Sequence, residues 1–113
     1  MPTLRDLAIE IKEIREEHGF QTPHLIGPTE YPFGVTFGDV MLGKLMLIVT
    51  EIGEAAEAVR HDDYKNFAEE LADATIRILD IAETNRIDLE AEIREKMRIN
   101  RDRPKGHGKR TTL

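Results

Sequence analysis

A chain of 113 residues has the length of one domain with a modest core, and its lack of cysteine rules out a disulfide framework and fits a reducing compartment, the cytoplasm. The net charge of −6 is unevenly spread: residues 94–113 carry +6 and the first 93 residues −12, so a nucleic-acid polymer finds no broad basic face, while the basic end can offer a few cations to one small anion. The opening MPTLRDLAIE has neither the basic nor the apolar region of a signal peptide, and no apolar run approaches the ~20 residues that span a bilayer, so the expectation is a soluble protein with no membrane partner.

Leu4, Leu7, Ala8, Ile11 and Ile14 recur at helical spacing, and Gly19 stands where a helix end favours a left-handed residue, which predicts a first helix over residues 4–18. Residues 20–37, with three prolines, two glycines and no periodicity, read as a long loop. A second helix is expected from about Asp39, taken as its N-cap, to Arg60. Its first half, VMLGKLMLIV, is apolar on nearly every face, with Lys44 its single charge. Such a helix must be surrounded, and a chain this short has too few elements to do it, so the bundle is expected to be completed by oligomerisation.

Asp62 or Asp63 caps a third helix running to about Asn85, whose predicted buried stripe is Phe67, Leu71, Ala74, Ile78 and Ile81. Asp88 caps a fourth in DLEAEIREKMRINRD, with Leu89, Ile93, Met97 and Asn100 on one stripe. Pro104, Gly106 and Gly108 end it. The fold class is therefore all-α with four main helices, forming one domain over residues 1–103 and a basic C-terminal tail over 104–113.

The stretch EIGEAAEAVRHDDYKNFAEELAD places Glu51 and Glu54 three residues apart, and Glu70 and Asp73 likewise, so each pair shares a helix face. Positions 54 and 70 average to 62, as do 51 and 73. In an antiparallel hairpin turning near Asp62 the four carboxylates meet at one height, ~12 Å from the turn at ~1.5 Å rise per residue. Solvated surface acids are the alternative for any one of them. The small and apolar neighbours, Ile52, Gly53, Ala55, Ala56, Leu71, Ala72 and Ala74, favour a cluster instead. Clustered carboxylates repel and take up protons unless a cation neutralises them, and hard oxygen donors select Mg²⁺, Mn²⁺ or Ca²⁺ over Zn²⁺. The Glu-x-x-His signature of di-iron bundles is absent from the chain.

On the fourth helix Lys96 and Asn100 stand one turn apart, with Arg103 three residues on; an ammonium, an amide and a forked guanidinium suit polyphosphate oxygens, and a solvated basic helix end is the alternative. Together EIGE, EELAD and KMRINRDRP resemble the all-α nucleoside triphosphate pyrophosphohydrolases, the MazG-like group that includes dimeric dUTPases, dCTPases and phosphoribosyl-ATP pyrophosphohydrolases, over about residues 41–110. The resemblance implies that Glu51, Glu54, Glu70 and Asp73 are the catalytic Mg²⁺ ligands, with Mn²⁺ a substitute, and that Lys96, Asn100 and Arg103 contact the substrate. It implies hydrolysis of a (deoxy)nucleoside triphosphate to the monophosphate and pyrophosphate, a nucleotide-pool house-cleaning reaction; from the missing cysteines and the apolar second helix the chain is expected to be a cytoplasmic homo-oligomer, dimer or tetramer. The competing reading is a non-enzymatic helical oligomerisation or adaptor module whose acidic groove binds a basic partner.

Arg77, one turn beyond Asp73, is expected to bridge Asp73 or Asp80 rather than meet substrate. Tyr31, Phe33 and Phe37 are candidates for stacking on a base or for anchoring the long loop, and His61 and His107 are expected to be solvent-exposed.

Overall fold

The computed structural model describes residues 3–19 and 36–103. They form four helices, α1 (Leu4–Glu17), α2 (Phe37–Arg60), α3 (Tyr64–Thr84) and α4 (Leu89–Asp102). Thr3 opens α1 with a capping box: the Asp6 N–H donates to Thr3 Oγ1 at 3.1 Å and the Thr3 N–H donates to Asp6 Oδ2 at 2.9 Å. Gly19 lies past its end with φ +77, the left-handed conformation expected of it.

The second helix starts two residues earlier than predicted, and Asp39 is not its N-cap. Thr36 is, because its hydroxyl accepts from the Asp39 N–H at 3.1 Å while the Asp39 carboxylate accepts from the Thr36 N–H at 3.0 Å. These bonds from Thr36 hold the Asp39 carboxyl below its ordinary pKa. Phe37, assigned above to the loop, is thus the first residue of α2. The rest of that loop, with Tyr31 and Phe33, and the tail from 104 onward, with His107, lie outside the described residues.

Two tight turns join the last three helices. After α2 the Asp62 N–H donates to Val59 O (3.1 Å) and the Asp63 N–H to Ala58 O (2.9 Å), with Asp62 left-handed at φ 55. Asp63 then caps α3 through Oδ1, which accepts from the Asn66 N–H at 3.1 Å. The α3–α4 turn repeats the pattern: Arg86 at φ 59, its N–H on Glu83 O, and the Ile87 N–H on Ala82 O at 2.8 Å, before Asp88 caps α4. Because each cap is local, the register of the α2–α3 hairpin is set by its turn.

Among the described residues the buried apolar ones are small, Ala8, Ala55, Ala58, Ala74 and Ala82, with Leu79 the one large side chain fully enclosed. Alanines let α2 and α3 approach closely, and α1 lies against α3. Between α1 and α3 the Arg15 Nε stands 2.8 Å from Asp80 Oδ2, and Arg15 also donates to Thr84 Oγ1 at 2.9 Å, giving the buried Asp80 and Thr84 their partners.

The predicted α3 stripe holds at Ala74 and in part at Phe67 and Ile81, but Leu71 and Ile78 are 42 % and 41 % exposed. The α4 stripe is open as well, Ile93 and Met97 being exposed and Leu89 half-buried. The reason is that α4 touches α1 and α3 sparsely and does not meet α2 among the described residues, so it leaves those faces uncovered. On α2, Leu42, Met46 and Val49 are 63 %, 59 % and 56 % exposed. No described helix is long and apolar enough to cross a membrane.

Candidate metal and nucleotide site

The hairpin register brings the acids of α2 and α3 to one level. One carboxylate oxygen each from Glu51, Glu70 and Asp73 lies within 4.8 Å of the others, with Glu51 and Glu70 half-buried and Asp73 exposed. Glu54 stands outside this tight group but beside Glu70, on which it acts both by hydrogen bonding and by charge. The four acids divide between two grooves. Glu51 and Asp73 line the larger, a cavity of about 650 Å³ enclosed by α1, α2 and α3, whereas Glu54 and Glu70 line a smaller one of about 230 Å³ near the hairpin turn.

Glu70 carries the strain of this assembly. Its carboxyl is pushed from the ordinary 4.5 up to about 7, first by hydrogen bonding with Glu51, then by desolvation, then by the hydrogen bond and charge of Glu54 and the charge of Glu51. Its Oε2 is buried and has no hydrogen-bond partner among the described residues. A buried acceptor facing further acceptors requires a proton or a cation, and three hard oxygens gathered this closely suit a hard divalent cation. The donor set of Glu51, Glu70 and Asp73 is therefore one that could hold a divalent cation.

Arg77 does not bridge Asp73 or Asp80. Its Nε lies 3.3 Å from Glu51 Oε1, across the hairpin on α2, because Asp80 is already taken by Arg15. Lys96, Asn100 and Arg103 line neither groove. Their helix α4 makes contacts with α1 and α3 and none with α2 among the described residues. Their neighbour Arg98 pairs along α4 with Glu95 (2.7 Å) and Asp102 (3.2 Å). His61 is exposed, as expected, with Nε2 3.0 Å from Glu57 Oε1 beside the smaller groove.

Three groove residues, Lys44, Arg15 and Asp80, escaped the sequence reading as parts of a site. Lys44 lines the larger groove, and its signal was there: a lone charge in an apolar segment, seven residues and so two turns before Glu51 on the same face. The Arg15–Asp80 pair, which closes the α1 side of that groove, had no such signal, since nothing in the spacing of one helix tells which residue of another it meets.

No curated protein and no solved structure matches the chain. A family model does: that of the MazG nucleotide pyrophosphohydrolase domain, over residues 39–106, a span that contains the hairpin, all four acids and α4. With the helical architecture and the acid cluster in agreement with it, the chain belongs to the MazG nucleotide pyrophosphohydrolase domain family.

Proposed function

We propose that the chain hydrolyses a nucleoside or deoxynucleoside triphosphate to the monophosphate and pyrophosphate, with Mg²⁺ as cofactor and Mn²⁺ as a substitute, as a nucleotide-pool house-cleaning enzyme of the cytoplasm. The observation that carries this is the convergence of Glu51, Glu70 and Asp73, with Glu70 Oε2 buried and unpartnered among the described residues, in a chain of this family.

Glu51, Glu70 and Asp73 would hold the ion, with Glu54 supporting Glu70. When bound, Mg²⁺ supplies charge neutralisation on the phosphates and Lewis-acid activation of the attacking water. The water oxygen bonds to the α-phosphorus as the bond to the bridging oxygen breaks, and pyrophosphate leaves. A carboxylate of the cluster accepts the proton released by the water. Lys96 and Asn100 on α4, and Arg103 at its C-terminal end, are the candidates for the outer phosphates and the sugar.

The protein acts as a homo-oligomer. Leu42, Met46 and Val49 lie at i, i+4 and i+7 on α2 and form an apolar stripe that one chain leaves in water. A second copy that covers it could also bring its own α4 against α2, which α4 does not meet within one chain among the described residues. The test is release of pyrophosphate and monophosphate from a panel of canonical and modified triphosphates, with Mg²⁺ and with chelator. Orthophosphate release in its place, or no turnover on any substrate, overturns the reading.

A further inference from the structure

The larger groove holds more cationic chemistry than folding requires. Among its lining residues, Arg15 is committed to Asp80 and Thr84, and His18 Nδ1 lies 2.8 Å from Ile14 O. Arg77 and Lys44 are different. The partner of Arg77 is Glu51, itself one of the three acids suited to a metal. Lys44 makes no ion pair among the described residues, although it is half-buried and is the single charge between Val40 and Thr50. An ammonium there costs desolvation without a structural return, and an apolar residue would serve the helix better. Lys44 and Glu51 share one face of α2, ~10 Å apart at ~1.5 Å rise per residue. An anionic ligand whose reacting end lies at the acids therefore extends along the groove toward the ammonium.

We infer that Lys44 and Arg77 bind the phosphate chain of the triphosphate in the α1–α2–α3 groove, with Arg77 passing from Glu51 to a phosphate oxygen when a cation takes Glu51. This rests on the pyrophosphohydrolase reading above. The acids alone repel a polyanion, so the groove needs cations along the path of the phosphates. Arg77 supplies a planar fork suited to bidentate phosphate contact, and its half-exposed side chain is free to turn. Ile11, Ile14, Ile76 and Ile81 form an apolar wall along the same groove.

The experiment compares Lys44→Met, Arg77→Gln and Arg77→Lys with Lys65→Met, which removes an equal charge from an exposed position in the first turn of α3, outside both grooves. Steady-state kinetics are run on the best substrate, with inorganic tripolyphosphate as a competing inhibitor. Mg²⁺ binding is measured separately by calorimetry without substrate. Lys44→Met and Arg77→Gln are expected to lower kcat/KM and weaken tripolyphosphate inhibition about ten- to a hundredfold, with partial rescue in Arg77→Lys. Mg²⁺ affinity in Arg77→Gln is expected to hold or rise, since the guanidinium no longer competes for Glu51. A fall in Mg²⁺ affinity that accounts for the lost activity would make Arg77 a mere support for Glu51 and overturn its part. Effects at Lys44 and Arg77 no larger than at Lys65 overturn the inference while leaving the pyrophosphohydrolase reading intact. Absence of turnover in the unaltered protein overturns both.

Discussion

Arg15 on α1 and Asp80 on α3 form a largely buried ion pair at 2.8 Å, and the same guanidinium donates to Thr84 one turn further along α3. With a core made mostly of alanines, this pair does much to fix where α1 lies, and hence the α1 wall of the larger groove. Removing one partner leaves the other charge buried, which costs about 3 to 5 kcal/mol. Arg15→Met should therefore destabilise strongly in urea unfolding, and adding Asp80→Leu to it should restore part of the loss, because the stranded charge is gone. A double variant no more stable than the single one would show that the pair contributes through its remaining hydrogen bonds instead.

Asp62 is the left-handed residue of the hairpin turn, at φ 55, a conformation that costs an L-residue about 1 kcal/mol and glycine almost nothing. Its N–H is used in the turn, and glycine keeps that donor. Asp62→Gly should raise unfolding free energy by up to about 1 kcal/mol without altering Mg²⁺ binding, since the register is held by backbone bonds and by Asp63. Asp63→Ala should do the opposite, with the loss of its cap worth about 1 kcal/mol. Equal effects of the two substitutions would contradict this division of labour.

The hairpin was legible in the sequence because local rules decide it: the i, i+3 acids, an aspartate cap and a midpoint at position 62 determine which carboxylates meet. Asp39 misled because Asp fits both the N-cap and the third position of a capping box, and Thr36 hid inside a stretch read as loop. Leu71, Ile78, Ile93 and Met97 misled for a different reason. Periodicity shows which face is apolar, not which neighbour covers it, and α4 does not lie where their burial would need it. The partner of Arg77 was missed for the same cause, since Glu51 reaches it from another helix while Asp73 and Asp80 were visible on its own.

The raised carboxyl of Glu70 makes stability pH-dependent in a known direction. Unfolded, the group ionises near 4.5; folded and metal-free, it keeps its proton until about 7. Between these values the native state binds more protons than the unfolded one, so this group's contribution to stability falls as pH rises from about 4.5 to about 7 and levels off above. Saturating Mg²⁺ should remove that fall, because the ion takes the place of the proton. Melting curves across this range, with chelator and with Mg²⁺, should differ most near neutrality, and Glu70→Gln should be flat in chelator. A Glu70→Gln variant with the same slope as the unaltered protein would assign the effect to another group.

The acids should not be equivalent toward the ion. Glu51, Glu70 and Asp73 form the tight group and Glu54 stands beside it, so Glu70→Gln and Asp73→Asn should weaken Mg²⁺ binding more than Glu54→Gln does, although all three should lose most turnover. Calorimetric titration of the three variants, each checked for unchanged helical circular dichroism, measures the order directly. Tightest Mg²⁺ binding in Glu70→Gln would remove Glu70 from the proposed ligand set.

The exposed stripe of Leu42, Met46 and Val49 and the lack of contact between α4 and α2 among the described residues lead to one linked expectation. In light scattering the active protein should appear as a multiple of 12.9 kDa, and Met46→Asp should break the assembly, because it would bury an unpaired charge at the contact. If a neighbouring copy supplies α4, loss of assembly also removes activity, while a charge at an exposed site off the stripe, such as Lys65→Glu, leaves both in place. The decisive measurement mixes two damaged proteins, Glu70→Gln and Lys96→Ala, under conditions that let subunits exchange. Sites built from two chains give back turnover, because a mixed assembly contains one site with both residues intact. No recovery, in a mixture shown to have exchanged subunits, would mean that α4 serves the acids of its own chain by moving toward them.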